Sequence, residues 1–568
     1  MVLRSGRSSL LLLACFVALL AIQPIAVARA QAYVGRPKLI VIIVIDQFRG
    51  DYLNRERTEF KNRGFRLFMN EGAWFTDCYY DYANTKTAPG HSTIGTGAYS
   101  DGHGIESNEW WDASRSDEKK VSSVEDERYQ LVDIPASSIP GGKASNVGAS
   151  PLNLRASTLG DELRLATQGK AKVFGISLKD RAAILTVGQS ANGAFWIDNA
   201  SGQFTTSTYY MQHLPEWAHA FNTSGRIAEA EREAKAEGKN QFYELVGRTP
   251  EANRYEFDFA KALINGEKLG QRGVTDLVAI SLSANDIQGH QFGPDSESEK
   301  QMILALDRDF DKFFSWLDQN VGLNNVWLAL SADHGIAPAP TEAAKLGMDS
   351  AMVNLNKIYD QLENELNRRH SPNGHVTYLM PGPELPYIVL NKHAFEKANV
   401  SEQAAEEEVA ALLPDAVAAQ NPAPFPSQKA NGPAEPSQQR LAPAPQVAGV
   451  YTRLQMANGP LPPTEWGREL AHSYAYHGNW FVMLVLGGYQ MEEMRRSGST
   501  THFSPWSYDR HVPLAFYGAP FVPGEYRERV APVDLATTLA AELGINFPSA
   551  AVGRVLTEAL KPVRTQSQ

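Results

Sequence analysis

Lys38 to Ile45 reads KLIVIIVI, a continuous apolar and β-branched run without polar alternation. That pattern predicts a strand buried on both faces, as in a parallel sheet. Comparable runs recur at Val173–Leu178, Leu277–Leu282, Val326–Leu330, Trp480–Leu486 and Val512–Tyr517. Helical spacing lies between them. Ser298–Leu317 sets Met302, Leu306, Phe310, Phe313 and Leu317 on one stripe, and Pro532–Leu543 is an amphipathic segment stopped by Gly544. Strands alternating with helices predict an α/β fold with a mostly parallel central sheet and helices on both faces. Such sheets gather their chemistry at the carboxyl ends of the strands. The residues just after each apolar run are therefore the candidates.

Two stretches break the alternation: a polar region near 110–170 and a longer one at 340–475, both read as insertions into a single catalytic domain spanning 31–568. The second contains a Pro-rich loop at 421–446. The N-terminus is an export signal. Arg4 and Arg7 precede an apolar run from Leu10 to Ile22, and Ala28-Arg29-Ala30 has the form of a cleavage site. The apolar run is short for a bilayer span, so cleavage after Ala30 and a periplasmic or secreted location are expected. Cleavage removes three Arg and no acid, taking the formal charge from -11 to -14. That balance argues against a surface for nucleic acid, which needs clustered Lys and Arg. Of the two cysteines, Cys15 leaves with the signal, so Cys78 has no internal disulfide partner.

The strand ends carry Asp and His. Asp46 ends the first run, Asp286 and His290 follow another, Asp333-His334-Gly335 follows a third, and His502 lies in the loop before Val512. Mixed carboxylate and imidazole ligands suit zinc or a similar divalent ion. Asp286 and His290 are one helical turn apart, so both can reach one ion. Asp333 and His334 diverge unless the chain turns sharply, which Gly335 permits. His472 and His477 read as structural or surface residues.

A second segment, Asn84-Thr85-Lys86-Thr87-Ala88-Pro89-Gly90-His91, leads into small residues up to Gly97, then His103-Gly104-Ile105 and Asn108. It predicts a tight entry into a short helix at about Gly90–Gly97, whose N-terminal amides favour an anion. A hydroxyl there could coordinate metal, lose its proton and attack phosphorus. A Ser/Thr-rich capping turn is the alternative.

Together these residues resemble the alkaline phosphatase superfamily, and the TKTAPGH segment followed by HGI and Asn resembles the PafA-type alkaline phosphatases and the related nucleotide pyrophosphatase/phosphodiesterase branch. Ser177-Leu178-Lys179-Asp180-Arg181 matches the PafA-type motif that brings a Lys and an Arg to the phosphate. The resemblance implies two zinc ions per chain. One is held by Asp286, His290 and His502; the other by Asp46, Asp333 and His334, with the Thr87 oxygen. His502 is preferred to His511 because it precedes the strand by a loop. The family often has Gly after this His; here it is Phe503. The resemblance further implies Thr87 as nucleophile, a phosphothreonine intermediate, and Asn108, Lys179 and Arg181 as donors to the phosphate. The expected activity is hydrolysis of small phosphate monoesters by a monomer without a membrane span after signal cleavage. The alternatives are a phosphodiesterase or nucleotide pyrophosphatase on the same scaffold, and a non-catalytic phosphate-binding protein.

Overall fold

The computed structural model describes residues 36–112, 119–134, 147–235, 242–420, 444–475, 477–493 and 499–562. The signal segment and Cys15, much of the Pro-rich 421–446 loop and parts of the 110–170 region lie outside these. Among the described residues no helix is long and apolar enough to cross a membrane.

Nine strands form the main sheet: β1 (Leu39–Ile45), β2 (Ala73–Phe75), β3 (Val173–Ser177), β4 (Gly193–Ile197), β5 (Phe204–Thr205), β6 (Asp276–Leu282), β7 (Val326–Ser331), β8 (Leu514–Tyr517) and β9 (Gly524–Tyr526). Their spatial order is β9-β2-β8-β7-β1-β6-β3-β4-β5. The five strands from β7 to β4 run parallel to their neighbours, and β8 and β5 run against them. β1 sits near the middle with every residue buried, which is why its sequence carries no alternation. The Met302 stripe becomes the helix Glu297–Asn320, whose N-cap Ser296 side chain accepts from Glu299 N. The Pro532 segment becomes the helix Val533–Leu543, closed by Gly544 at φ 61°.

Two expectations need correction. Trp480–Leu486 is not in the main sheet. It is the middle strand of a separate antiparallel sheet, between Tyr387–Leu390 and Val447–Thr452. Trp480, Val482, Leu484 and Leu486 pack into one apolar cluster with the helices Leu355–His370 and Glu402–Ala418, while Phe481, Met483 and Val485 pack into another. An unbroken apolar run reports burial on both faces, not which sheet supplies it. The second correction is direction: β8 runs antiparallel to β7.

Candidate active site

Four adjacent strands, in the order β7, β1, β6, β3, end at one edge of the sheet. They release in turn Asp333-His334, Asp46, Asp286 and Lys179. Register holds the ends level: Ile45 pairs with Leu282, Val44 with Ser331, and Ser281 with Ser177. Neighbouring strands lie about 4.8 Å apart, so the sheet alone brings these side chains within reach of one another.

Asp286 and His290 lie on the helix α3 of this region (Ala284–Phe292; the earlier helices α1, Thr87–Thr96, and α2, Asp180–Leu185, are described below). His290 Nε2 stands 3.1 Å from Asp286 Oδ1, and His502 Nε2 3.8 Å from the same oxygen. Beside them, His334 Nε2 lies 3.5 Å from both Asp46 Oδ1 and Asp333 Oδ2. These last three atoms are buried without a hydrogen-bond partner among the described residues. Two ligands on a tetrahedral ion with bonds of about 2.0–2.1 Å sit roughly 3.3 Å apart, so the donor set fits zinc. Asp286 also presents an oxygen within 4.8 Å of ligand atoms of Asp46 and His334, so it stands within reach of both clusters.

The imidazoles are oriented alike. His290 Nδ1 donates to Thr500 O (3.0 Å), His334 Nδ1 to Gly335 O (2.9 Å), and His502 Nδ1 to Thr85 O. Each bond places the proton on Nδ1 and leaves Nε2 with its lone pair toward the cluster. Burial pushes His334 below the ordinary imidazole range. His502 is pushed further down by burial and by His334 and His290. Burial also raises Asp46, with Asp286 and Asp333 adding to it. For Asp286 burial acts upward too, but Lys179, His290 and His502 outweigh it and hold this carboxyl well below its usual range. Gly335 serves by close approach rather than by a left-handed turn: a Cβ there would lie 2.2 Å from Tyr508 O.

Lys179 is buried, and its Nζ donates to Asp46 Oδ2 and Asp286 Oδ2, each at 2.6 Å. It is thus turned away from Asp180 into the cluster. Arg181 follows in α2 with its Nε buried and unpartnered among the described residues.

The helix α1 starts at Thr87, three residues before the expected entry, because Pro89 needs no N–H partner in a first turn. Asn108 Oδ1 accepts from Ala88 N at 2.8 Å, which fixes Asn108 against the start of α1. With that amide taken, Pro89 lacking one and Gly90 N bonded to Lys86 O, the helix start offers an anion fewer amides than its sequence suggests. No hydrogen bond among the described residues engages the Thr87 hydroxyl. His511 points elsewhere, its Nε2 donating to Thr76 O. His472 pairs with Asp101, and His477 with Gly104 O.

The family model for type I phosphodiesterase / nucleotide pyrophosphatase matches residues 40–456. The chain belongs to this family. Among curated relatives it is 32% identical to alkaline phosphatase PhoV of Synechococcus elongatus, over 93% of this chain and 94% of the relative. It is 30% identical to alkaline phosphatase PafA of Elizabethkingia meningoseptica, over 93% and 95%. The crystal structure of wild-type PafA matches with a TM-score of 0.78 at 28% identity, covering 93% of this chain and all of that one. The fold is alkaline phosphatase-like and the protein is a phosphatase.

Within this phosphodiesterase/pyrophosphatase-family site, three residues escaped the sequence reading. Gln47, at φ 63°, donates from Nε2 to Asp286 Oδ1 (2.8 Å) and from its backbone N–H to Asp333 Oδ1 (3.0 Å), joining both clusters. A left-handed non-glycine beside a strand-end Asp is a structural signal, invisible in sequence. His91 Nδ1 lies 2.9 Å from Thr87 O and 3.3 Å from Asp333 Oδ2, and its Nε2 meets Ser281 Oγ at 2.7 Å. Its place four residues after Thr87 was the available clue. Thr85, through its carbonyl, orients His502.

Proposed function

We propose that the protein is a zinc-dependent phosphate monoester hydrolase, exported to the periplasm or beyond, that works through a phosphothreonine on Thr87. The observation that supports this reading is a buried Lys179 shared by carboxylates of both carboxylate–imidazole clusters, with Asn108 bonded at the helix start beside a Thr87 hydroxyl that no described residue engages. Asp286, His290 and His502 would hold one zinc ion, and Asp46, Asp333, His334 and Thr87 the other. Bound there, zinc supplies Lewis-acid stabilisation of the attacking and leaving oxygens. The Thr87 Oγ attacks phosphorus as the ester P–O bond breaks, and its proton ends on the leaving oxygen, which departs as the alcohol. Water then attacks the phosphothreonine, the P–Oγ bond breaks, and inorganic phosphate leaves with Thr87 restored. Lys179 Nζ, which donates to Asp46 Oδ2 and Asp286 Oδ2, would be free to turn to the ester if those carboxylates held metal. Asn108, held by the bond of its Oδ1 to Ala88 N, would offer its Nδ2 to the same oxygens. The solved PafA structures include a variant with a Thr, an Asn, a Lys and an Arg replaced, at the same Thr-to-Asn and Lys-to-Arg spacings as Thr87, Asn108, Lys179 and Arg181. The signal pattern at Met1–Ala30 supports export.

A monoester has an unesterified oxygen that a diester lacks, and charge-assisted donors to it are worth about 1.5–3 kcal/mol each. The test is kcat/KM on an aryl phosphate monoester and the matching diester, for wild type and Lys179→Ala/Arg181→Ala. The expected result is a preference for the monoester in wild type and a loss in the variant concentrated on that substrate. Equal losses on both would make the motif a general phosphate support and favour the diesterase reading.

A further inference from the structure

Glu384 lies in the segment that builds the second sheet, just before its strand Tyr387–Leu390, and far in sequence from the strand-end residues. Its two carboxylate oxygens take two different lysines. Oε1 accepts from Lys86 Nζ at 2.6 Å and Oε2 from Lys120 Nζ at 2.7 Å.

Lys86 adjoins one residue that faces the phosphate in the proposed reaction, and Lys120, opposite Trp111, opens the strand whose end reaches the other. Lys86 is the N-cap of α1 and immediately precedes Thr87. Its backbone is extended there, at φ −129° and ψ 161°, so its side chain leaves the helix start toward the second sheet. Lys120 opens the strand Lys120–Ser122, which pairs antiparallel with Glu109–Trp111, the residues directly after Asn108. Ser123 N closes that hairpin onto Asn108 O at 2.8 Å.

The Lys86 ammonium is buried, which is costly for a charge without a partner. Besides Glu384, the Phe503 ring lies 4.5 Å from it. Phe503 follows His502 and holds φ 98°, a conformation that favours glycine. Its backbone N–H donates to Thr85 Oγ1. An aromatic side chain thus occupies a strained position where it covers the Lys86 charge. Burial alone would raise the Glu384 carboxyl, but Lys86 and Lys120 outweigh it and bring it down to about 2. The carboxylate is therefore ionised across the working pH range.

We propose that Glu384 is a positioning residue for the phosphoryl site: by gripping Lys86 and Lys120 together it braces from outside the spacing between Thr87 and Asn108 that the Ala88 N–Asn108 Oδ1 bond sets. This rests on the reading of Thr87 and Asn108 as phosphate-facing groups. It makes the second sheet a working part of the site, because that sheet holds the carboxylate. Small misplacements of reacting groups cost rate steeply, so the effect belongs in kcat more than in substrate or metal affinity.

The experiment is a double-mutant cycle on zinc-loaded full-length enzyme with an aryl phosphate monoester. Glu384→Gln is expected to lower kcat about tenfold, with KM and zinc content within about twofold of wild type. In an Asn108→Ala background the same change is expected to cost less than about twofold, because the spacing it protects no longer matters. A purely structural role gives the same loss in both backgrounds, and that result overturns the proposal, as does an unchanged kcat. If Glu384→Gln does not fold, Lys120→Met removes one arm of the grip from a partly exposed side chain. It is expected to show the same dependence on Asn108, and an unchanged kcat again overturns the proposal. A wild-type enzyme that leaves the monoester intact breaks the functional reading, and the positioning role with it, before any variant is compared.

Discussion

Thr85 and Thr87 flank one lysine, yet the fold separates their tasks. The Thr85 hydroxyl accepts from Phe503 N (3.2 Å) and Ser504 N (3.0 Å) and donates to Ser504 O (3.2 Å). It is fully occupied in holding the loop that carries His502. Thr87 has no such engagement among the described residues. Acid-quenched enzyme incubated with an aryl phosphate is therefore expected to carry phosphate on Thr87 by peptide mass spectrometry. Thr87→Ala abolishes the label. Thr85→Val keeps it on Thr87 and keeps the carbonyl that orients His502. It removes the hydroxyl's bonds to the Phe503-Ser504 loop. That loosening alone is expected to weaken zinc binding, by less than the roughly 10–100-fold cost of losing an outer partner of a ligating His. Phosphate on Thr85 would reverse the assignment. The gathering of the strand-end Asp and His residues was legible because their types and order are distinctive. Gln47 and Glu384 were not, because a side-chain amide and a carboxylate acquire their roles only from what the fold sets beside them.

The helix α1 is buried along its whole length, and besides the His91 contacts its backbone comes close to the Asp333 loop at Gly90. A Cβ on Gly90 would lie 2.2 Å from Asp333 O. Gly90→Ala is therefore expected to push α1 off the Asp333 loop, costing about 1–3 kcal/mol of stability and a larger relative loss of kcat. Thermal melts alongside kinetics check this, and a variant with wild-type melting and turnover would refute the contact. The element pattern in the sequence was readable for β1, β3, β6 and β7 because each is predominantly apolar and followed within a few residues by a charged one. The placement of Trp480–Leu486 was not. Its two faces are buried by two separate clusters, and apolarity carries no label for the neighbour that covers it. The early start of α1 was hidden by Pro89, which reads as a break but sits comfortably in a first turn.

On the scale of the whole molecule, the fold buries several carboxyls that the proposed reaction does not use. Burial raises Glu106, Glu299 and Asp509 each to about 8, their hydrogen bonds and nearby Arg side chains offsetting this only in part. An unfolded chain releases such protons at about pH 4. These groups thus contribute stability that is fully present below about pH 4 and is lost as pH rises through about 8. The melting temperature is expected to fall across that window, and Glu299→Gln is expected to flatten part of the slope; a variant with an unaltered slope would remove Glu299 from the account. The strand-end edge has a different consequence. The predicted ligands are spaced by the hydrogen bonding of β7, β1 and β6, and Lys179 already neutralises part of their negative charge. The sheet acts as a ruler cut before the ion arrives. The spacing of these side chains is therefore inherited from strand pairing, and a change that slips one strand would unmake it without touching any of them.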